Sequence, residues 1–545
     1  MISELKLIST GANNFAFLTR GPSDKDIPKG AGFRWDRDAG RWTTRSPAVA
    51  SRLIDYADDA AREILQQHIA ATSGAIAASK AVSTDAAIPC GDGYEFLPYQ
   101  RAGIAFASSR DSVLIADDMG LGKTAQAIGT VNMSDATRVL IVCPASLTKN
   151  WAREIGKFDS RGLSVGLATT KKVDAGTNYT ITTYDVFSRD TPSAKEILRH
   201  TWDILILDEA HYCKNSKAAR TKRILGGRDE AGLQARRRIY LTGTPIMARP
   251  IELFPLLNSL VPGEFGNYFG YAKRYCDGRE GRFGLDVSGA SNLDELQTRL
   301  RSTVMIRRMK ADVLTELPEK RRQIIDFPAD STEAKAALKA EAKAVEARSR
   351  AQAAIAAAKK TGGDATAEMM GGLRSALAEI TKARHDTARA KLPLCIDHIR
   401  EAAEATGKVI VFAHHRDIVD ALKAGLSDLG VVSITGTTPT DDRQGIVDRF
   451  QNDPDIRVFI GNIQAAGVGL TLTAASTVIF TELDWTPAAM AQAEDRAHRI
   501  GQKSAVLVQY LVLEDSIDHN MLRTLENKQS VIDEAINDST DIDPE

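Results

Sequence analysis

The stretch Leu114-Ile-Ala-Asp-Asp-Met-Gly-Leu-Gly-Lys-Thr-Ala-Gln-Ala-Ile128 constrains the rest of the chain more than any other. Val113 to Ala116 read as a short buried strand, and Thr124 to Ile128 open a helix. A glycine-bearing turn joins them, which is the strand–loop–helix setting of a phosphate-binding loop. Gly120 and Gly122 let the backbone curl, so that successive N–H groups face one concavity and can hold phosphate oxygens. The helix start adds the positive end of a dipole. Asp118, Met119, Gly120, Leu121, Gly122, Lys123 and Thr124 are therefore candidate nucleotide-holding residues. Lys123 would reach the β- and γ-phosphates, and the Thr124 hydroxyl would ligate Mg²⁺. One letter departs from the general pattern: Asp117 stands where the first glycine belongs.

Such a loop needs a parallel sheet behind it. From Phe96 onward strands alternate with helices. Arg138 to Pro144, Tyr179 to Tyr184, Trp202 to Leu207 and Arg238 to Leu241 read as strands, and the first is almost continuously apolar, as parallel sheets require. The Trp202 strand delivers Asp208-Glu-Ala-His211 at its carboxyl end, where open α/β sheets place their ligands. Asp208 is positioned to hold Mg²⁺, and Glu209 to orient or deprotonate an attacking water. A second α/β unit begins at Lys408, with strands at Val431–Ile434, Val458–Gly461, Thr477–Thr481 and Val506–Leu513. With a phosphate loop only in the first unit, the site should be completed at a cleft between the two. Gln492 to Gln502 reads as the opening of a helix near that cleft. Arg496 and Arg499, three apart, would share one helical face as arginine fingers on the transferred phosphoryl group.

The flanks read differently. Residues 1–70 suggest a small α+β module with a hairpin from Phe33 to Thr44 and a helix from Pro47 through about Gln67. Trp35 and Trp42 alternate there with Arg34, Arg41 and Arg45. That pattern suits base stacking and phosphate contact, or else the tryptophans are the module's core and the arginines its wet face. Residues 71–93 read as a flexible linker, and 94–330 as the first lobe with a helical insertion. Arg299, Arg301, Arg307, Arg308, Lys310, Lys320, Arg321 and Arg322 form either a phosphate track or a solvated helix face. Residues 331–404 read as helical protrusion and linker, with a break at Leu392-Pro393, and 405–545 as the second lobe. A net charge of −1 excludes a globally basic nucleic-acid coat but not a local basic groove. Five scattered cysteines without a CxxC pair suggest neither zinc module nor disulfide framework. The N-terminus lacks an apolar signal-like run, and an intracellular setting is expected, cytoplasmic or nuclear according to host. No membrane contact and no obligate protein partner is called for.

The ordered series 117–124, 208–211, Leu241-Thr-Gly-Thr-Pro245, Gln464-Ala-Ala-Gly-Val-Gly-Leu-Thr471, Asp484-Trp-Thr-Pro487 and Gln492…Arg496…Arg499-Ile-Gly-Gln502 resembles the Swi/Snf-type ATPases, helicase-superfamily-two motors that translocate on double-stranded DNA. The resemblance covers about residues 94–535. It implies an α/β fold of two RecA-like parallel-sheet lobes with helical protrusions, here preceded by the small α+β domain. Thr244-Pro-Ile-Met-Ala-Arg-Pro-Ile-Glu-Leu253, Arg274-Tyr-Cys-Asp277, Ser288-Gly-Ala-Ser-Asn292 and Phe412-Ala-His-His415 are most similar to the annealing-helicase, or HepA-related, branch. The Trp-rich hairpin is similar to that branch's accessory (HARP) DNA-binding module. By resemblance, Gln100 reads adenine, and Gly467 and Gln492 approach the nucleotide. Thr242 and Thr244 couple hydrolysis to lobe movement. Pro144, Ser146, Gly436, Thr471 and Trp485 fall in segments that touch DNA. Asp118 replaces the family's usual Glu, and Met247-Ala248 replace Gln-Asn. The expected substrate is ATP with Mg²⁺, and the expected partner double-stranded or branched DNA. An RNA- or protein-displacing translocase and a non-hydrolysing DNA-binding scaffold stay open as alternatives.

Overall fold

The computed structural model describes residues 4–9, 14–19, 22–174, 176–227, 230–246, 249–281, 284–314, 316–360, 367–466, 470–518 and 521–522. They form two compact units, one of residues 1–81 with 298–305 and one of 82–297 with 306–545.

In the first unit, strands β1 (Glu4–Ser9), β2 (Asn14–Leu18), β3 (Arg34–Asp36) and β4 (Arg41–Thr44) make an antiparallel sheet in the order β1-β2-β4-β3. Alternation along β2 turns Phe15 and Phe17 inward, where they meet Phe33, Leu53 and Leu65. The core is thus phenylalanine and leucine, not tryptophan. Ser46 caps the short helix Pro47–Ala50, its hydroxyl accepting from the Val49 N–H. Asp58 caps a separate helix, Asp59–Lys80. That helix corrects the expected end near Gln67 and the linker from residue 71. Its last turns are alanine-rich, and alanine is the strongest helix former.

The second unit opens with the helix Pro98–Ser108. Its first sheet uses β5 (Ser112–Ile115), β6 (Val139–Cys143), β7 (Val165–Leu167), β8 (Tyr179–Thr183), β9 (Thr201–Asp208) and β10 (Gln234–Leu241), running parallel in the order β5-β10-β9-β6-β8-β7. A hairpin of β11 (Arg279–Gly281) and β12 (Gly284–Asp286) follows, and then the two-residue β13 (Met305–Ile306), whose Ile306 carbonyl accepts from Ala116 beyond β5. The central strands are buried on both faces, as their unbroken Val/Ile/Leu runs require.

The second sheet runs parallel in the order β14-β19-β18-β15-β17-β16, from β14 (Lys320–Phe327), β15 (Val409–Ala413), β16 (Val431–Ile434), β17 (Val458–Asn462), β18 (Thr477–Phe480) and β19 (Val506–Leu513). β14 corrects the assignment of residues to 330 to the first lobe. It is a charged edge strand, Lys-Arg-Arg-Gln-Ile-Ile, held by backbone pairing along its whole length with β19, so apolar periodicity could not announce it. Between β14 and β15, two strands of this same sheet, run two long helices, Thr332–Lys360 and Ala367–Thr406. The second passes straight through Pro393, against the expected break. An interior proline costs about 3 kcal/mol. Flanking Lys391 and Cys395 are buried, and the Lys391 ammonium donates to the Leu511 carbonyl at 2.7 Å, so packing on the second sheet holds the helix across it.

Candidate phosphate-binding cleft

The loop after β5 is held from behind. Asp117 is fully buried. Its Oδ1 accepts from the Arg308 N–H and Nε, both at 3.0 Å, its Oδ2 forms an ion pair with the Arg308 guanidinium, and Gln126 Nε2 donates to Oδ2 at 2.8 Å. The departure from the glycine pattern is therefore a buried charge pair. Gly120 (φ +83°) and Gly122 (φ +70°) take left-handed backbone, which L side chains adopt only with strain. A Cβ at Gly122 would also lie 2.3 Å from Gln100 Nε2. Gln100 itself braces the far side of the loop, donating to the Leu121 carbonyl at 3.3 Å and accepting from the Leu97 N–H at 3.0 Å. It does not line the cleft. The Lys123 ammonium donates to the Asp117 and Asp118 carbonyls at 2.9 and 3.1 Å. Gly243 leaves room for it, since a Cβ there would stand 3.2 Å from Nζ.

β9 ends in Asp208, and Glu209 follows in left-handed backbone (φ 51°). That is a costly conformation for a non-glycine residue and one that clusters at functional sites. The Asp208 carboxylate is aimed by two donors, Trp151 Nε1 at 2.8 Å and the Glu209 N–H at 2.9 Å. Burial, then the neighbouring Glu209 carboxylate, push its pKa up. Burial works the same way on Glu209, but His211, Lys123 and Arg496 outweigh it and hold Glu209 below the usual carboxylate range. His211 Nδ1 lies 3.3 Å from Glu209 Oε2 and 3.2 Å from the Thr242 hydroxyl. Thr242 Oγ1 accepts from the Thr244 N–H at 3.1 Å. Glu209 and the two threonines are thus joined through one histidine, which sequence reasoning left without a role although it closes the Asp-Glu-Ala-His motif.

The second lobe supplies Arg496 and Arg499, but not from a helix. The helix Pro487–Glu494 ends before them, and residues 495–501 are turns closed by Gly501 at φ +99°. This corrects the expected shared helical face. Arg496 donates to the Gln492 and Leu470 carbonyls, and Arg499 to the Thr471 hydroxyl at 3.2 Å. Both still enter the cleft, a cavity of about 450 Å³. Lys123, Thr124, Asp208 and Glu209 face them from the first lobe. Burial and then the neighbouring Arg499 bring the Arg496 guanidinium down to about 10, so it stays charged at neutral pH. The cleft also takes Arg153 and Lys157 from the helix Thr148–Phe158 and Gln444 and Asp448 from the helix Thr440–Asn452, all missed in the sequence. The i, i+4 spacing within each helix was the available signal.

The remaining candidates separate. Gln492 is buried outside the cleft. Gly467, Gly469, Met247 and Ala248 lie outside the described residues. Pro144 and Ser146 follow β6, Gly436 follows β16 and Trp485 follows β18, each at a strand's carboxyl end. Gly436 and Trp485 are exposed, and the Arg384 guanidinium sits over the Trp485 ring at 5.2 Å. Thr471 lines the cleft beside Arg499. In the first unit Trp35 and Trp42 face each other across β3 and β4 as an edge-to-face pair with centroids 5.5 Å apart. Trp42 leans on the phenylalanine core, and Trp35 stands 49% exposed.

Residues 99–384 match the SNF2-related domain, and residues 390–501 match the helicase conserved C-terminal domain. The chain belongs to the SNF2-related family. Over 464 residues, 81% of this chain and 41% of the relative, it is 37% identical to the DNA annealing helicase and endonuclease ZRANB3 of Mus musculus. Over 461 residues, 80% of this chain and 61% of the relative, it is 34% identical to the Caenorhabditis elegans homolog of SWI/SNF-related matrix-associated actin-dependent regulator of chromatin subfamily A-like protein 1. The chain spans about four to six tenths of these relatives' length. The solved Sulfolobus solfataricus SWI2/SNF2 ATPase core in complex with dsDNA is similar over 84% of this chain and 100% of that one, at 22% identity and a TM-score of 0.39. Among the described residues no helix is long and apolar enough to cross a membrane.

The basic run of this SNF2-related chain is neither a phosphate track nor a solvated face. Arg301, Arg307, Arg308 and Lys310 are buried. Arg307 donates to the Ala116 and Gly243 carbonyls. Lys310 and Lys320 pair with Asp495 at 2.8 and 3.3 Å, Lys320 and Arg322 with Glu494 at 2.9 Å each, and the exposed members of the run, Arg321 and Arg322, are both ion-paired, Arg321 with Glu319. Burial opposes ionisation of Glu494, but Lys320 and Arg322 overcome it and hold the carboxyl down at about 2. A carboxylate depressed on folding adds stability that is complete above its unfolded value, about 4.3, and is lost as pH falls toward the folded value. The melting-temperature advantage of the native chain over Glu494→Gln is therefore expected to be full at pH 7 and to shrink below about pH 4. Thermal melts of both proteins from pH 7 to 3 check this, and a gap independent of pH would contradict it.

Proposed function

We propose that this chain is a DNA-dependent ATP hydrolase, a double-stranded-DNA translocase that remodels or reanneals branched DNA such as replication forks. The observation that carries the reading is the convergence, in one cleft, of the loop Met119–Thr124, Asp208 and Glu209 from the first lobe with Arg496 and Arg499 from the second. Phosphoryl transfer asks little of a protein beyond such positioning and charge neutralisation. Thr124 and Asp208 both line the cleft, and their oxygens are the hard donors that suit Mg²⁺, which when bound neutralises charge on the β- and γ-phosphate oxygens. The loop N–H groups and Lys123 hold the phosphates. Glu209, held ionised, takes the proton of the attacking water. The water oxygen bonds to the γ-phosphorus as the bond to the bridging oxygen breaks. ADP leaves with that electron pair, and inorganic phosphate follows. Arg496 and Arg499 meet the transferred phosphoryl from the other lobe, so catalysis requires closure. The His211 link from Glu209 to Thr242 and Thr244 carries the change to the lobe interface. DNA would lie along Pro144, Ser146, Gly436 and Trp485. The name of the mouse relative, a DNA annealing helicase and endonuclease, supports a DNA-remodelling role, and the half-exposed Trp35–Trp42 pair with exposed Arg34, Arg37 and Arg45 supports a second DNA contact.

ATP hydrolysis is measured with forked DNA, linear duplex, single strand and RNA, for the native chain and Trp35→Ala. Forked DNA is expected to stimulate most. Trp35→Ala is expected to weaken fork binding about 5- to 150-fold, the worth of one stacked base, and to erase the preference. Equal stimulation by all duplexes with no effect of Trp35→Ala leaves a plain duplex translocase, and stimulation by RNA alone or by nothing sinks the proposal.

A further inference from the structure

We propose that Lys310 is a positioning residue for this hydrolysis: a buried strut that fixes the arginine-bearing turn of the second lobe against the phosphate loop of the first. The inference rests on the function proposed above and adds a residue to it.

Lys310 has two ends, and they touch the two halves of the cleft. Its backbone belongs to the phosphate loop. The Asp118 N–H donates to the Arg308 carbonyl at 3.0 Å, and the Lys310 N–H reaches back to Asp118 Oδ2 at 3.4 Å. Its side chain belongs to the turn. The ammonium, 7% exposed, pairs with Asp495 Oδ2 at 2.8 Å and donates to the His498 carbonyl at 2.9 Å. Both atoms flank Arg496, and His498 immediately precedes Arg499.

The turn needs such support because residues 495–501 are not helical, so their carbonyls must find donors elsewhere. The Arg496 carbonyl accepts from the Leu472 N–H, and the Ala497 carbonyl from Gln502 Nε2, both within the second lobe. The His498 carbonyl is served from across the cleft, by Lys310. All these parts meet at Gly120. A Cβ at that position would stand 3.3 Å from Arg499 Cγ and 3.6 Å from Lys310 Cε.

Charge gives Lys310 a second task. Asp495 is the carboxylate next to Arg496 in sequence. With Lys310 and Lys320 on its two oxygens, Asp495 makes no ion pair with either arginine, and Arg496 and Arg499 donate to backbone carbonyls and a hydroxyl instead. Their charge is thereby left for the phosphoryl group. Without Lys310, Asp495 is free to turn onto Arg496 and quench it.

Single-turnover ATP hydrolysis with enzyme in excess, on forked DNA, tests this in the native chain and in Lys310→Met, Lys310→Gln, Lys310→Arg, Arg496→Ala and Lys310→Met/Arg496→Ala. Lys310→Met is expected to cut the hydrolysis rate 10- to 100-fold with nucleotide affinity changed less than about threefold, and Lys310→Arg to restore most of the rate. In the Arg496→Ala background Lys310→Met is expected to add less than about twofold, because it acts through that turn. A native rate in Lys310→Met overturns the proposal, and so does an undiminished 10- to 100-fold loss in the Arg496→Ala background. Loss of nucleotide binding together with hydrolysis in both Lys310→Met and Lys310→Gln assigns a merely structural role and overturns it too. An unchanged rate in Arg496→Ala alone sinks the arginine role itself, whatever Lys310 does.

Discussion

Lys123→Ala and Glu209→Gln are each expected to abolish DNA-stimulated ATP hydrolysis, and to do so in different ways. Lys123 lies under the loop with its ammonium on the Asp117 and Asp118 carbonyls, in a space kept open by Gly243. Truncating it removes the cation that the β- and γ-phosphates meet in ground state and transition state alike. Nucleotide binding and turnover should fall together. Glu209 carries no part of the loop, and its carboxylate is kept ionised by His211, Lys123 and Arg496 against the cost of burial. The amide of Gln keeps the shape but cannot accept the proton of the attacking water. Turnover should drop by roughly 10²- to 10⁴-fold, the usual worth of a positioned base, with ATP binding retained. Equilibrium binding of a fluorescent ATP analogue beside steady-state hydrolysis on forked DNA separates the two patterns. Full turnover in either variant would show that the cleft is not arranged for phosphoryl transfer as assigned.

The sequence made some of this legible and hid the rest for physical reasons. Strands buried on both faces declare themselves as unbroken apolar runs, so β6, β9, β15 and β19 fall where the residues suggest. The loop and the Asp208–Glu209 pair are also local, each a short motif beside a strand end. β14 was hidden because an edge strand is specified by backbone pairing rather than by burial. The turn that carries Arg496 and Arg499 was hidden because three-residue spacing looks helical, whereas the actual conformation depends on donors from Leu472, Gln502 and Lys310, one of them in the other lobe. The basic run from 299 to 322 looked like surface because sequence does not show which carboxylates fold onto it. Asp117 and Arg308 stand 191 positions apart, and no local pattern joins them.

That last pair carries the second large expectation. Restoring the general loop pattern with Asp117→Gly is expected to destabilise the protein rather than improve it. Arg308 and Asp117 are both essentially excluded from solvent, and the guanidinium also reaches Gln126 Oε1 at 2.8 Å and the Tyr99 carbonyl. Two buried charges in contact add little net stability against an apolar pair, because desolvation offsets most of their attraction. Removing one of them is a different matter, since the other stays buried and uncompensated at a cost of about 3–5 kcal/mol. Against a total stability on the order of 5–15 kcal/mol that is a large fraction. Asp117→Gly and Arg308→Met should each lower the apparent melting temperature by about 3–5 °C. Their combination should be less damaging than the sum, because neither charge is then left alone. Thermal melts of the three variants decide the matter. Additive losses would mean that Asp117 and Arg308 stabilise the loop independently. A stable Asp117→Gly would mean that Arg308 finds another partner, and that the aspartate in the loop is not there to hold it.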